Sequence, residues 1–371
     1  MSNTDFQSPT IDPNEVADRR DDDDLFVLDV RNEDDYEEWH IDGSYNLPIY
    51  DQLLDGEFDG LEESLDELPE DKEIVVVCVA GVTSSDAAGF LADRGYDAKS
   101  MDNGMNGWGK VHVTYELSDL DGVTQIVRPG TGCVSYLVAD GDEGVVVDPS
   151  LYTDEYGSVA AEHDVEIVAA VDTHAHADHI SGAPLLADEL DVPYYLHPDD
   201  SGELDDYTPI EDSDAIDVGE RELSVKHTPG HTPGSVSFEF GEALLSGDTL
   251  FIQSVGRPDL EGSAETEVRE AASDLFESLE RLADLPDDTV VLPGHFDDED
   301  VRPLATTLGD LEMDNELFGM DDREQFVDTI VEGLSDEPAN YNQIKAINWG
   351  QEPLTDDATD LELGPNNCAA N

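Results

Sequence analysis

The chain has 371 residues, long enough for two domains, and 38% of them are hydrophobic. Its 92 acidic residues against 16 basic ones give a formal net charge of −76, which argues against nucleic acid and anionic membrane surfaces as partners. Three widely spaced cysteines form no disulfide framework. The N-terminus lacks a basic-then-apolar leader pattern, and no apolar run approaches the roughly 20 residues of a bilayer span. The sequence therefore reads as that of a soluble, cytoplasmic protein. The acids interleave with apolar runs and lysine is scarce, which predicts a salt-rich cell. At about 1 M salt the Debye length is about 3 Å, so repulsion among surface carboxylates is screened.

In chain order, Leu25–Val30 and Glu73–Cys78 predict buried strands, the second as apolar and β-branched as a central parallel strand. Asp86–Arg94 predicts a helix with Ala87, Ala88, Phe90 and Leu91 inward and Gly95 at its C-cap. These form a small α/β unit over about residues 8–112. A polar connector near Lys110–Asp121 leads to a second domain, 118–371. There Val123–Val127, Cys133–Val138, Gly144–Val147, Val165–Val171, Glu222–Val225, Ser235–Phe240, Ala243–Leu245 and Thr289–Leu292 predict strands. Ala183–Leu190, Ala264–Leu282, Arg302–Leu308 and Asp322–Glu332 predict helices. Strands followed by a helix, twice over, predict an αββα sandwich.

Two segments carry chemistry. Cys78 follows a buried strand and opens Cys78-Val79-Ala80-Gly81-Val82-Thr83-Ser84 ahead of a helix. A thiol there feels the positive end of the helix dipole, and a tight glycine loop turns backbone N–H groups toward the sulfur. Later, Thr173-His174-Ala175-His176-Ala177-Asp178-His179 places three imidazoles and a carboxylate within six residues, directly after an apolar run. His231, Asp248 and His295 follow at wide spacing, each at a strand end or in the loop beyond it. Imidazole and carboxylate together bind Zn, Fe or Mn. Cys133 falls within a predicted strand and reads as core.

The first segment resembles the active-site loop of single-domain rhodaneses. Leu28-Asp29-Val30-Arg31, Trp39 to Pro48 and Asn103 to Trp108 support the resemblance. It implies sulfur transfer through a Cys78 persulfide, with Gly81, Thr83 and Ser84 at the substrate. The HxHxDH, H, D, H series resembles the metallo-β-lactamase superfamily over about residues 118–300. The implied architecture is a rhodanese-like α/β domain followed by an αββα metallo-β-lactamase sandwich.

Thr173–Gly182, Gly247–Ile252 and Gly256-Arg257-Pro258-Asp259 are similar to the persulfide dioxygenase signature. This implies one Fe(II) per chain on His174, His231 and Asp248, leaving His176, Asp178, His179 and His295 for a second site or for support. Arg257 is implied as a clamp on a thiol substrate's carboxylate, the other reading being a salt bridge with Asp259. Relatives carry Cys where Val255 stands, and Asp-Tyr where Phe296-Asp297 stands.

The expected partners are a small thiol persulfide and dioxygen, with a sulfur donor or acceptor at Cys78 and the oligomeric state open. The alternative is a zinc thioester hydrolase of the glyoxalase II type, with one or two Zn(II) and Asp248 bridging. A third reading is a non-catalytic sulfur or redox sensor.

Overall fold

The computed structural model describes residues 8–20, 22–262, 264–296, 303–334, 340–355, 358–362 and 369–370. It divides into two compact units, one reaching to Val113 with Arg128–Thr131 added, the other holding Thr114–Val127 and Gly132–Glu362.

The first unit is built on a parallel sheet. Its strands are β1 (Thr10–Ile11), β2 (Leu25–Asp29), β3 (Tyr45–Asn46), β4 (Glu73–Val77) and β5 (Ala98–Met101), in the order β1-β5-β4-β2-β3. Ile74 to Val77 of β4 are completely buried, as the sequence predicts for a central strand. The helix after it spans Val82–Ala92 and starts earlier than its apolar stripe suggests. Gly81 takes φ +79°, so the chain reverses at once and the helix begins beside Cys78. Ala87, Ala88, Phe90 and Leu91 pack inward as predicted.

The second unit has two sheets. One runs in the order β12-β11-β10-β9-β8-β7-β6. Its members are β6 (Val113–Glu116), β7 (Val123–Val127), β8 (Val134–Asp140), β9 (Glu143–Val147), β10 (Glu166–Val171), β11 (Tyr194–Leu196) and β12 (Thr208–Pro209). The other runs β13 (Ala215–Val218), β14 (Arg221–His227), β15 (Val236–Phe240), β16 (Ala243–Gly247), β18 (Val290–Pro293), β19 (Thr306–Thr307). A short β17 (Val255–Gly256) pairs with β20 (Ala369–Ala370).

Valines and phenylalanines from the facing sides of the two sheets, among them Val138, Val145, Val225 and Phe238, form one core between them. Thr153–Glu162 and Ala183–Leu190 cover the outside of the first sheet. Glu265–Ala283, Leu308–Asp314 and Arg323–Gly333 cover the outside of the second. This is the αββα sandwich.

The helix expected over Arg302–Leu308 is corrected. Thr306–Thr307 is strand, and the helix starts at Leu308, where the Thr307 hydroxyl accepts the Asp310 N–H; Arg302 lies outside the described residues. No helix among the described residues is long and apolar enough to cross a membrane. The strand ends at Val171, Gly247 and Pro293 deliver the loops that carry His174 to His179, Asp248 and His295.

Candidate metal centre

Three buried groups converge where those loops meet. The Nε2 of His174 lies 3.7 Å from Asp248 Oδ2, and the Nε2 of His231 lies 3.6 Å from the same oxygen. None of these three atoms has a hydrogen-bond partner among the described residues. A cation with bonds of about 2.0–2.2 Å holds neighbouring ligand atoms roughly 3–3.6 Å apart, so the spacing suits a common metal.

The other ring nitrogens fix the tautomers. His231 Nδ1 sits 2.9 Å from the Arg257 carbonyl oxygen, which can only accept, so Nδ1 carries the proton and Nε2 the lone pair. Thr173 Oγ1 donates to Asp148 Oδ2 and therefore accepts from His174 Nδ1 at 2.8 Å, which leaves His174 Nε2 bare as well. Burial first, and for His174 the neighbouring His176 second, push both imidazoles below their ordinary pKa and keep them neutral. Burial would raise the Asp248 carboxyl, but His295, in contact with it, holds it ionised.

Gly294 makes room for this carboxylate. A Cβ there would stand 2.6 Å from Asp248 Oδ1, which explains the glycine before His295.

A second cluster adjoins the first and is internally bonded. Cys133 Sγ donates to Asp178 Oδ2 at 3.1 Å. His179 Nδ1 and His295 Nε2 reach the same oxygen at 3.0 and 2.9 Å. His295 Nδ1 meets Asp248 Oδ1 at 2.7 Å and ties the clusters together. His176 turns elsewhere, its Nε2 lying 3.3 Å from Asp148 and 3.6 Å from Asp172. Those carboxylates overcome its burial and raise it to about 9. His197 and His227 also lie near a carboxylate, Asp199. Their rings stack at 4.3 Å and 7°, so lone pairs in parallel planes do not converge on one ion.

Arg257 is fully buried. Its Nε and Nη2 fork onto Asp259 at 2.7 and 2.9 Å, so that edge of the guanidinium is turned to Asp259.

In the first unit, Cys78 ends the central strand. Its Sγ lies 3.2 Å from Ser84 Oγ, itself 2.9 Å from Ser100 Oγ. Burial alone would raise the thiol pKa. The Ser84 and Thr83 hydroxyls and the N–H groups of Ser84 and Ala80 outweigh it and hold the thiol below its ordinary value. Val79 and Val82 flank the loop on the exposed side.

The family model of the metallo-beta-lactamase superfamily matches residues 128–295, and that of the rhodanese-like domain matches 12–110. A metallo-beta-lactamase from Staphylococcus aureus subsp. aureus COL is 30% identical with a TM-score of 0.57, and the match covers 61% of this chain and 72% of that one. The chain belongs to the metallo-β-lactamase superfamily. A rhodanese-like domain precedes the metallo-β-lactamase fold.

Among superfamily structures it is similar to ETHE1 from Myxococcus xanthus, at 27% identity and a TM-score of 0.55, over 62% of this chain and 99% of that one. The mitochondrial persulfide dioxygenase ETHE1 of Bos taurus is 34% identical over 178 residues, which are 46% of this chain and 66% of that protein.

The metallo-β-lactamase fold brings His174, His231 and Asp248 together and sets Asp178, His179 and His295 beside them. Cys133 joins the second group, which the sequence did not signal, because a cysteine in an apolar strand looks like core. His176, in the middle of the motif, faces Asp148 and Asp172 instead.

Proposed function

We propose that the metallo-β-lactamase domain oxidises a low-molecular-weight thiol persulfide, R–S–SH, at a single Fe(II) held by His174, His231 and Asp248. One persulfide, one dioxygen and one water would give one thiol and one sulfurous acid. What carries the reading is the triad itself: among the described residues His174 Nε2, His231 Nε2 and Asp248 Oδ2 are buried without hydrogen bonds and lie close enough together to share one ion. The likeness to persulfide dioxygenase relatives supports the substrate class.

Fe(II), when bound to two histidines and one carboxylate, offers open positions and charge stabilisation for oxygen chemistry. The chain supplies orientation. Thr173 and the Arg257 carbonyl hold the two imidazoles, and His295 holds the free edge of Asp248. With its fork engaged by Asp259, Arg257 acts first as a support for His231. Cys78 would carry sulfur as a persulfide in the rhodanese-like domain, with Gly81, Thr83 and Ser84 around it. The acidic surface supports a cytoplasm of high salt as the setting.

The alternative is a zinc-dependent thioester hydrolase of the glyoxalase II type. Its support is the neighbouring group of Cys133, Asp178, His179 and His295, whose ligand atoms also lie close enough together to hold an ion, with His295 touching Asp248. Metal analysis of anaerobically purified protein, with oxygen uptake on a thiol persulfide, separates them. One iron per chain with oxygen consumption is expected. Two zincs with hydrolysis of S-lactoyl thiols would overturn the dioxygenase reading, and turnover of neither substrate would leave a sensor.

A further inference from the structure

The loop from His174 to Gly182 has no continuous ladder to satisfy its backbone, so its buried N–H and C=O groups need partners from elsewhere. Four of them find those partners in the C-terminal segment. The helix Tyr341–Asn348 ends in Asn348, whose Nδ2 donates to the carbonyls of His176 at 2.8 Å and His179 at 2.9 Å. Its Oδ1 accepts the Ser181 N–H at 3.0 Å. The Ile180 N–H goes to Oε1 of Glu362, which is buried, at 2.9 Å. One primary amide thus uses both protons and its oxygen on a single loop. The carbonyls it binds belong to the HxHxDH residues that surround the triad.

The same helix reaches the loop on the other side of the centre. Lys345, also buried, donates its Nζ to the Leu260 carbonyl and pairs with Glu261 at 2.8 Å. Leu260 lies three residues beyond Arg257, whose carbonyl orients His231. A single helix therefore anchors the loop carrying His174 and the loop supporting His231.

We infer that Asn348, seconded by Glu362, is a positioning residue for the metal centre: it holds the HxHxDH loop so that His174 Nε2 faces Asp248 and His231. The inference rests on the reading that His174, His231 and Asp248 bind a metal. Groups that orient metal ligands through hydrogen bonds typically change metal affinity by about 10–100-fold when removed. Asn348→Asp keeps the acceptor for Ser181 and loses both donated bonds. Glu362→Gln keeps the acceptor for Ile180, and Glu362→Ala removes it.

The test is titration of the metal-free full-length protein with Co(II) in molar KCl, read by visible absorption, with a thermal melt of each variant. Asn348→Asp should raise the Co(II) dissociation constant at least about 10-fold and alter the d–d band, because His174 is displaced. Glu362→Ala should weaken binding, and Glu362→Gln should restore it. Unchanged Co(II) affinity in both Asn348→Asp and Glu362→Ala would overturn the inference while leaving the metal centre intact. Absence of Co(II) binding by the unaltered protein would overturn the metal centre, and the inference with it. If Asn348→Asp fails to fold, the Glu362 pair decides: equal affinities in Ala and Gln variants would count against the positioning role.

Discussion

Asp248 Oδ2 and His231 Nε2 lie 3.6 Å apart in a fully buried site, and neither atom makes a hydrogen bond to any described residue. Two acceptors facing each other without a proton between them are unfavourable in a dry interior. The arrangement becomes favourable when a cation lies between them.

Asp248→Asn should abolish stoichiometric metal binding, since it removes the charge and leaves an amide facing the neutral imidazoles of His174 and His231. The check is metal content after purification. In the unaltered protein, ligand at 1,000 times its dissociation constant adds about 4 kcal/mol of stability. Chelation should therefore lower the melting temperature, and Asp248→Asn should make the melt indifferent to chelator.

Gly294→Ala should weaken the centre without touching a ligand. The added Cβ would stand 2.6 Å from Asp248 Oδ1, so the carboxylate or the glycine loop must shift and disturb the spacing of the ligand atoms. The expected outcome is a rise in metal dissociation constant of about tenfold or more, the scale of other perturbed ligand supports. Equal affinity would show that the loop yields at no cost.

Cys78→Ala should eliminate sulfur transfer to cyanide and leave persulfide-dependent oxygen uptake in place. The thiol should also stay reactive below the ordinary cysteine range near pH 8.5, because the Ser84 and Thr83 hydroxyls and two backbone N–H groups favour the thiolate over the opposing effect of burial. Iodoacetamide alkylation rates against pH measure this. Ser84→Ala should move the midpoint upward.

His112 gives a pH signature. Its ring is half-buried, and desolvation first and Arg128 second depress it from 6.5 to about 3. The unfolded chain then binds the proton more readily than the folded one. The stability held by neutral His112 is complete above pH 6.5 and is lost as pH falls toward 3. His112→Gln should show a shallower fall in melting temperature than the parent between pH 6.5 and 4, measured in molar KCl. Parallel curves would refute the assignment.

The net charge of −76 predicts a salt requirement. Melting temperature should climb steeply from dilute buffer to molar KCl, where the Debye length is about 3 Å. A flat profile would remove the high-salt reading.

The sequence by itself determined the two α/β units, most strands of the sandwich and the set of histidines and aspartates from which a metal centre can be drawn. Those features are local: apolar runs mark buried strands, and loops at strand ends carry the ligand-type residues. Only the tertiary structure decided which neighbours each group meets. It turned His176 toward Asp148 and Asp172, brought Cys133 against Asp178, forked Arg257 onto Asp259 and set Asn348 across the HxHxDH loop. Several of these contacts join residues far apart in the chain, and Asn348 lies 172 positions from His176. Even Arg257 and Asp259, two residues apart, meet inside a site that only the fold buries. The periodicity of a segment reports which face it buries. What lies opposite that face is set by how the sheets and their loops close around one another.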